Sequence, residues 1–257
     1  MCATGPQGAY NQTMNWHARY QQQARWTQNT RDYLFKRAGL DTAKRILEVG
    51  CGTGALWEHL NLPAGASAHG LDLDLDSARR ARRNAPGLLA VNAAGEHLPY
   101  PDAFFDLVFC HYLLLWVQKP GQILREMARV TRPGGSVLAL AEPDHAARID
   151  YPDMLQTLGE WQTTALIGQG VNPRMGRELA SAFAGAGIQP VENGIIGGGW
   201  NAPTADETEM EWAVLEADLT GTIPDHDIQK MRAVDAQARL GGSRVLFVPT
   251  FYAWGRV

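Results

Sequence analysis

The sequence predicts an α/β fold with a mostly parallel central sheet and helices on both faces. Between residues 45 and 141, short apolar runs of strand length alternate with segments of helical pattern, as in successive βαβ units. The first run ends in a glycine-rich turn, where the backbone of such a fold can approach a ligand closely. With 257 residues, of which 45% are hydrophobic, the chain can bury a sizeable core without disulfides or metals.

The N-terminal half carries the regular part of this pattern. Residues 15–38 place aromatic side chains among polar ones at helical spacing and predict a long helix. Apolar runs bounded by turn residues predict strands, and the segments between several of them predict helices. The predicted strands are 45–49, 68–72, 88–91, 105–109 and 136–141, and the predicted helices are 55–60, a segment that begins at Ser77, and 123–130.

The pattern becomes less regular after Glu142. Residues 142–175 predict an irregular segment with one helix, and a second helix ends at Gly187, since glycine commonly ends helices. A strand, a largely helical acidic stretch and a closing strand complete the chain. The predicted helices are 153–166 and 177–186, the strands are 188–196 and 244–257, and the acidic stretch is 203–240.

Composition excludes several classes of protein. The 23 basic and 27 acidic residues give a net charge of −4, which argues against a general nucleic-acid or anionic-membrane binder. Three widely spaced cysteines, Cys2, Cys51 and Cys110, form no CxxC pair, so we expect reduced thiols, no disulfide framework and no metal site. No apolar run reaches the roughly 20 residues of a membrane span, and the N-terminus lacks the pattern of a signal peptide. We therefore expect a soluble, cytoplasmic protein.

The most specific motif is the glycine loop. Gly50, Gly52 and Gly54 have the spacing GxGxG, which differs from the GxGxxG of dinucleotide-binding folds and from the phosphate-binding P-loop. Asp72 ends the next predicted strand, 18 positions after Gly54, where a carboxylate can accept hydrogen bonds from both hydroxyls of a ribose. The spacing argues against a nicotinamide-dependent oxidoreductase, which is one alternative for a sheet of this kind.

Four motifs give the sequence a family resemblance. Residues 46–54, 69–74, 96–109 and 132–143 resemble the successive motifs of class I S-adenosylmethionine-dependent methyltransferases, most of all the small-molecule group related to the ubiquinone/menaquinone C-methyltransferases. The final residues, 247–257, are similar to the closing antiparallel strand of that family. The resemblance implies a Rossmann-like seven-stranded sheet in which the last strand lies antiparallel between the fifth and sixth.

The resemblance also implies a single methyltransferase domain over residues 1–257 with added caps. We expect an N-terminal helical cap, a cofactor-binding core, two insertions on the substrate side and a closing strand. These are residues 1–40, 41–145, 146–176 with 197–243, and 244–257.

Matching motif positions imply the cofactor contacts for S-adenosylmethionine and its product S-adenosylhomocysteine. Gly50, Cys51, Gly52 and Gly54 would line the methionine and ribose side, Glu48 would support the methionine ammonium, Asp72 would take the ribose hydroxyls, and Leu73 would pack on the adenine. Gly95 and Cys110 would supply backbone contacts. Where the family usually has an Asp that accepts from the adenine amino group, this chain has Ala94, so either adenine recognition is weaker or that contact passes to Asn92, Glu96 or a water.

Three residues of the N-terminal helix are further cofactor candidates. Tyr20, Trp26 and Arg31 have an order similar to that of residues which some of these enzymes fold over the methionine end. Arg31 would pair with the methionine carboxylate, since a planar guanidinium suits that group.

Polar residues after the predicted strands are candidates for the acceptor side. His111 follows the fourth strand and is either a base or substrate contact, or a structural hydrogen-bonding group. Glu142, Asp144 and His145 follow the fifth strand, at the edge of the sheet where such folds bind ligands. Trp200 lies in an insertion and is either a core residue or a ligand contact.

The predicted function is S-adenosylmethionine-dependent transfer of a methyl group to a small organic acceptor by in-line displacement. The insertions contain aromatic residues and few basic ones, which predicts a closed, apolar and aromatic pocket with no role for nucleic acid. An alternative is a protein that binds S-adenosylmethionine or S-adenosylhomocysteine on the same fold with a regulatory or other non-methyltransferase role. Neither the acceptor nor the oligomeric state follows from the sequence.

Overall fold

The computed structural model describes residues 15–197 and 203–257. Helices α1 to α7 are Trp16–Ala38, Leu75–Asn84, Pro120–Val130, Gln156–Gly168, Met175–Gly185, Ala205–Leu219 and Asp225–Leu240. Strands β1 to β9 are Arg45–Val49, Ser67–Asp72, Leu88–Asn92, Phe105–Cys110, Thr131–Pro143, Ile149–Tyr151, Gln189–Ile195, Val245–Phe247 and Thr250–Arg256. Most of the predicted elements lie within a few residues of these bounds.

Seven strands form the central sheet in the order β3-β2-β1-β4-β5-β9-β7. Strands β1 to β5 pair in parallel, and β9 runs antiparallel between β5 and β7. The predicted α/β fold class and the inserted antiparallel last strand are therefore confirmed. This topology brings the carboxyl ends of β1, β2, β4 and β5 to one edge of the sheet.

The central strands are buried on both faces, as expected of a parallel sheet covered by helices. In β1, Ile46 packs in one hydrophobic cluster with Phe35 of α1, whereas the next residue, Leu47, packs in a second cluster with Met127 of α3 and Phe183 of α5. Successive side chains of a strand point to opposite faces, so one continuous apolar run serves two cores.

Two sequence expectations are wrong in detail. Residues 55–60 form no α-helix: a short 3₁₀ turn covers Trp57–His59, because the amide of Leu60 donates to the carbonyl of Trp57, three residues back. The predicted closing strand is two strands. Pro249, which has no N–H to donate, lies in the gap between β8 and β9, and β8 pairs antiparallel with β6 in a separate two-stranded sheet.

Helices α4, α6 and α7 form a cap with a core of its own. Leu158 of α4, Trp212 and Leu219 of α6, and Ile228 of α7 belong to a third hydrophobic cluster. The cap therefore has a hydrophobic core separate from the two cores of the sheet.

Residues 15–197 and 203–257 contain neither a membrane-spanning helix nor a cluster of metal-ligating side chains. None of their helices combines the length and apolarity needed to cross a lipid bilayer. Within the same ranges, His, Cys, Asp and Glu side chains form no group of three or more that could hold a metal ion.

Candidate active site

The glycine loop joins β1 to the next turn in a conformation that suits glycine. Gly50, Gly52 and Gly54 have φ angles of 75°, 51° and 81°, which other residues rarely adopt. A Cβ atom at Gly50 would lie 2.7 Å from a methyl carbon of Leu113, and one at Gly52 would lie 3.1 Å from the ring of Tyr20. The loop is therefore packed between the residues that follow β4 and helix α1.

Asp72 is tied to this loop. One carboxylate oxygen accepts from the N–H of Gly52 at 2.8 Å, and the other accepts from the N–H of Asp74 at 2.9 Å. Each carboxylate oxygen can accept a second hydrogen bond. Burial raises the pKa of Asp72. The carboxylate predicted to take the ribose hydroxyls is thus held at the carboxyl end of β2, directly beside the loop, with acceptor capacity left.

Glu48 is buried beneath the same loop. Its carboxylate is 3% exposed and accepts a hydrogen bond from the indole nitrogen of Trp57. Burial raises the pKa of Glu48 to about 8; the Trp57 hydrogen bond and the Arg31 charge oppose this shift, whereas the Asp72 charge adds to it. Glu48 therefore takes up a proton near neutral pH.

This titration predicts a pH-dependent stability. The pKa of Glu48 is about 8 in the folded chain and about 4.3 in an unfolded one, so the folded state binds more protons between those values and its stability falls as pH rises. Between pH 7 and pH 8 we expect the free energy of unfolding to fall by about 1 kcal/mol. Burial also raises the pKa of Glu142, to about 7, which adds a smaller decline over this range, so Glu48→Gln should lose most of the decline, as urea unfolding at several pH values would measure. Glu178→Gln, an exposed control on α5, should keep it; an unchanged decline in Glu48→Gln would contradict the assignment.

Arg31 lies on α1 close to Glu48. It is 7% exposed, and its guanidinium donates to the carbonyl of Ala24 at 2.7 Å and to the hydroxyl of Thr27 at 3.3 Å. Burial lowers the pKa of Arg31, although the charges of Asp32 and Glu48 oppose the shift. The structure therefore brings Arg31 to the Glu48 side of the loop, where the resemblance implies the methionine end of the cofactor.

Further contacts dock the start of α1 on the loop. His17 Nδ1 lies 2.8 Å from the hydroxyl of Thr53, and His17 Nε2 lies 2.9 Å from Glu58. The amide of Gln21 donates to Glu58 at 2.7 Å. Together with the contact between Tyr20 and Gly52, these bonds hold α1 over the loop.

The residues predicted on the adenine side lie around the ends of β2 and β3. Leu73 is 58% exposed, and the Asn92 amide donates to its carbonyl at 2.7 Å. A Cβ atom at Gly95 would lie 3.2 Å from Ile123. Ala94 and Glu96 lie in the same turn, where the Glu96 carbonyl accepts a hydrogen bond from Gln122. The exposed face of Leu73 is consistent with the predicted packing on a flat ring.

The two described cysteines are buried thiols. Cys110 is fully buried at the end of β4, and Cys51 is 5% exposed in the glycine loop. Burial raises the pKa of both thiols well above the ordinary value, with a further contribution from the charge of Glu48. Neutral thiols are poor nucleophiles, so Cys51 and Cys110 serve here as small apolar side chains.

His111 follows β4 and faces helix α1. Its Nε2 lies 3.0 Å from the hydroxyl of Thr27. Burial, together with the charge of Arg31, lowers the pKa of His111 to about 3. The ring is therefore neutral at physiological pH and has one nitrogen able to accept a proton. The next residue, Tyr112, has a positive φ of 52°, an uncommon conformation for a residue with a side chain.

Two of the acidic candidates after β5 are engaged by the protein itself. Glu142 is fully buried and accepts from the backbone N–H groups of Leu113, Leu114 and Leu115 at 2.9–3.1 Å. Asp144, also fully buried, forms a two-pronged ion pair with Arg177. Their contacts fix the segment after β4 and helix α5 rather than leaving either carboxylate open to a ligand.

A cavity of about 1350 Å³ lies between α1, the residues after β4, the cap helices and β8. Trp26, which is 47% exposed, and His145 line it, whereas Trp200 falls outside the described residues. Its aromatic lining residues are Trp16, Trp26, Tyr112, Trp116, Trp212 and Phe247. Thr27 and Tyr112 also line the cavity, and Thr27 contacts His111.

The cavity has the expected aromatic lining, but the expectation of few basic residues is wrong. Four arginines line the cavity: Arg19, Arg148, Arg239 and Arg244. Arg148 and Arg244 pair with Asp150, and Arg239 pairs with Asp235. Composition missed them because the arginines are spread along the chain and meet only when β6, β8 and α7 pack together.

Sequence reasoning also missed three polar residues at the cavity wall. Gln22 and Thr27 belong to the face of α1 that lines the cavity, and Tyr112 follows the predicted His111. The recurrence of Trp16, Arg19, Gln23 and Trp26 at intervals of three and four was the available signal, since such residues share one face of a helix.

Part of the chain is similar to known methyltransferases. Residues 47–139 match the family model described as a methyltransferase domain. A malonyl-[acyl-carrier protein] O-methyltransferase from Pseudescherichia vulneris is 34% identical over 118 residues, covering 46% of this chain and 47% of the relative. A ubiquinone/menaquinone biosynthesis C-methyltransferase from Vibrio vulnificus (strain YJ016) is 31% identical over 120 residues, which cover 42% of this chain and 46% of that relative. The chain thus spans about half the length of the curated relatives it matches.

The fold itself is found in solved structures. Geranyl diphosphate C-methyltransferase from Streptomyces coelicolor A3(2), crystallised with Mg²⁺, geranyl diphosphate and S-adenosyl-L-homocysteine, has a TM-score of 0.53 at 14% identity, covering 89% of this chain and 78% of that one. These matches agree with the resemblance drawn from the motifs: residues 47–139 are similar to a methyltransferase domain, and the relatives that share this part of the chain are methyltransferases.

Proposed function

We propose that this protein transfers a methyl group from S-adenosylmethionine to a small organic acceptor by in-line displacement. The observation that carries the proposal is the Asp72 carboxylate, held by the Gly52 N–H beside a loop of three positive-φ glycines. The cavity lined by Thr27 and Tyr112 would receive the acceptor. The relatives named above, which are methyltransferases, support the same reaction class.

The residues present fit the cofactor. The remaining acceptor capacity of Asp72 suits a pair of hydroxyls, the exposed Leu73 suits a flat apolar ring, and the buried Arg31 and Glu48 suit a carboxylate and an ammonium. When bound, S-adenosylmethionine supplies an electrophilic methyl group on a positive sulfur. We propose that Glu48, the glycine loop, Asp72, Leu73 and the turn at Ala94–Glu96 hold it.

The chain's own contribution is positioning. Glu142 fixes the three backbone amides after β4, and α1 covers the loop through Tyr20. These contacts define the position of Tyr112 and Thr27 at the boundary between loop and cavity. Holding two reactants in line can supply effective molarities on the order of 10⁵ M, so alignment would account for most of the rate.

Titration calorimetry with S-adenosylhomocysteine tests whether the chain binds the cofactor product. A time course of S-adenosylhomocysteine formation from S-adenosylmethionine, with each of a panel of small acceptors, tests the reaction. We expect micromolar binding and release with at least one acceptor. Absence of binding at millimolar ligand would overturn the proposal. Binding without release from any acceptor would favour the alternative of a cofactor-binding protein with a regulatory role.

We further propose that His111 positions Thr27 at the cavity wall, since its Nε2 lies 3.0 Å from the Thr27 hydroxyl. A ring with a pKa of about 3 is a poor base at neutral pH, because a base works best when its pKa lies near the operating pH. His111→Asn should therefore lower kcat by much less than the roughly 100-fold that a positioned base contributes, while the Kd for S-adenosylhomocysteine stays within about twofold. A loss of about 100-fold or more would show instead that the ring takes up the acceptor's proton.

A further inference from the structure

One straight stripe of helix α1 lines the cavity. Its members recur at intervals of three and four residues, so they share one face of the helix. They are Trp16, Arg19, Gln23, Trp26 and Thr30. At about 1.5 Å per residue, the stripe from Trp16 to Thr30 is about 20 Å long. The cavity therefore extends along more than half of α1.

The volume of the cavity agrees with this length. Its 1350 Å³ exceed the roughly 300–1,000 Å³ of clefts that bind drug-sized ligands. Glu48, Gly50 and Asp72, which are proposed to hold the cofactor, are not among the described residues that line it. The acceptor alone would therefore occupy this space, and a length of about 20 Å suits an elongated molecule.

Two large apolar side chains of the lining are accessible to a ligand. Trp26 is 47% exposed and Leu240 is 83% exposed, and both line the cavity. Covering such side chains with an apolar ligand is favourable because it removes apolar surface from water. Trp16 and Trp116 line the same cavity, so an apolar body would meet aromatic surface at several points.

The charged side chains of the lining are engaged within the protein. The described part of the lining contains four arginines and five acidic residues, and each of the nine has a polar or charged partner in the chain. The arginines bond to Gln22, Asp150 or Asp235, and the acidic residues bond to Gln162, Thr204 or arginines of α7. A charged ligand would lose its hydration without gaining an unpaired partner from these side chains, which is costly. The lining therefore favours an uncharged ligand.

We propose that the methyl acceptor is an uncharged, elongated molecule with an apolar body, and that it lies along the stripe of α1 from Trp16 to Thr30. This deepens the proposed function and rests on it. The length of the stripe would select for long acceptors, and the paired charges would select against ionic ones.

Unbranched alcohols of increasing length test this assignment on the full chain. The probes are 1-hexanol, 1-octanol, 1-decanol and 1-dodecanol, titrated by calorimetry in saturating S-adenosylhomocysteine. With C–C bonds of about 1.5 Å, even the dodecanol chain is shorter than the stripe of about 20 Å. Each added methylene should therefore tighten binding about 4-fold through the whole series. A compact pocket would instead give a plateau at hexanol or octanol.

Two matched substitutions on α1 locate the bound alcohol. Gln23 lies in the middle of the stripe, whereas Gln28 is exposed and outside the cavity. Gln23→Trp should divide the cavity, so hexanol should bind about as in the parent chain while the gain from octanol to dodecanol falls about 10-fold or more. Gln28→Trp adds the same ring to the same helix and should keep the parental series. The series in the parent chain needs no variant, so a folding defect in Gln23→Trp would leave the length test in force.

Decanoate and decylamine, which is cationic at neutral pH, test the preference for an uncharged ligand. Each should bind about 10-fold or more weakly than 1-decanol, because the charges of the lining are already paired. Either ion binding as tightly as 1-decanol, a plateau at hexanol or octanol, or equal losses in Gln23→Trp and Gln28→Trp would overturn this inference. If S-adenosylhomocysteine still binds, the methyltransferase proposal stands in each of these cases. Absence of S-adenosylhomocysteine binding at millimolar ligand would overturn that proposal, and with it the acceptor role of the cavity.

Discussion

Replacing Asp72 by Asn is expected to weaken S-adenosylhomocysteine binding about 100-fold. In our proposal, the carboxylate accepts hydrogen bonds from both ribose hydroxyls, and each bond to a charged group is worth about 1.5–3 kcal/mol. Loss of about 3 kcal/mol corresponds to about 100-fold in Kd. The substitution keeps the size of the side chain, and its one oxygen can still accept from the Gly52 N–H, whereas the Asp74 N–H loses its acceptor. Titration calorimetry measures the change directly.

The matched control is Asp76→Asn, four residues further along. Its side chain is 78% exposed and pairs with the exposed Arg79 at 3.4 Å, an arrangement that contributes little. Binding in Asp76→Asn should match that of the parent chain, and circular dichroism should show both variants folded. Equal affinity in the parent and in Asp72→Asn would show that the ribose is held elsewhere.

The arrangement of the glycine loop and Asp72 was predictable because these residues are close in sequence. The spacing of Gly50, Gly52 and Gly54 and the position of Asp72 depend on one strand, one turn and the next strand, and the structure places all four together. The order of the sheet followed from the family resemblance, since nothing local specifies that β9 enters between β5 and β7. The 3₁₀ turn at residues 57–59 shows the limit of periodicity in a segment of six residues.

The acceptor side was much less predictable. Glu142, expected at the ligand, instead accepts three backbone N–H groups from the segment after β4, and such engagement depends on a turn that the sequence does not specify. Gln22 gives no distinct sequence signal, because it is one of three consecutive glutamines. The Arg19 partner of its oxygen and the cavity that it lines are features of the folded chain.

Removing the Asp235 carboxylate is expected to destabilise the cap strongly. Asp235 is 1% exposed and accepts from Arg239 at 2.7 Å, Arg244 at 2.5 Å and the indole of Trp212 at 2.9 Å. Burial tends to raise the pKa of Asp235, but these hydrogen bonds outweigh it and hold the pKa below the usual value. Asp235→Ala leaves two guanidinium groups partly uncompensated, so we expect a loss of about 3–5 kcal/mol in the free energy of unfolding, measured by urea denaturation.

Glu209→Ala tests whether burial, rather than pairing itself, sets this cost. Glu209 also pairs with an arginine of α7, at 2.5 Å from Arg232, but its side chain is 68% exposed, and exposed pairs contribute about 0–1 kcal/mol. If burial sets the cost, Asp235→Ala should lose much more unfolding free energy than Glu209→Ala, because Asp235 is desolvated between α6 and α7. Equal small losses would mean that water reaches the freed arginines when the carboxylate is removed, and that the hydrophobic cluster around Trp212 holds the cap without the ion pairs.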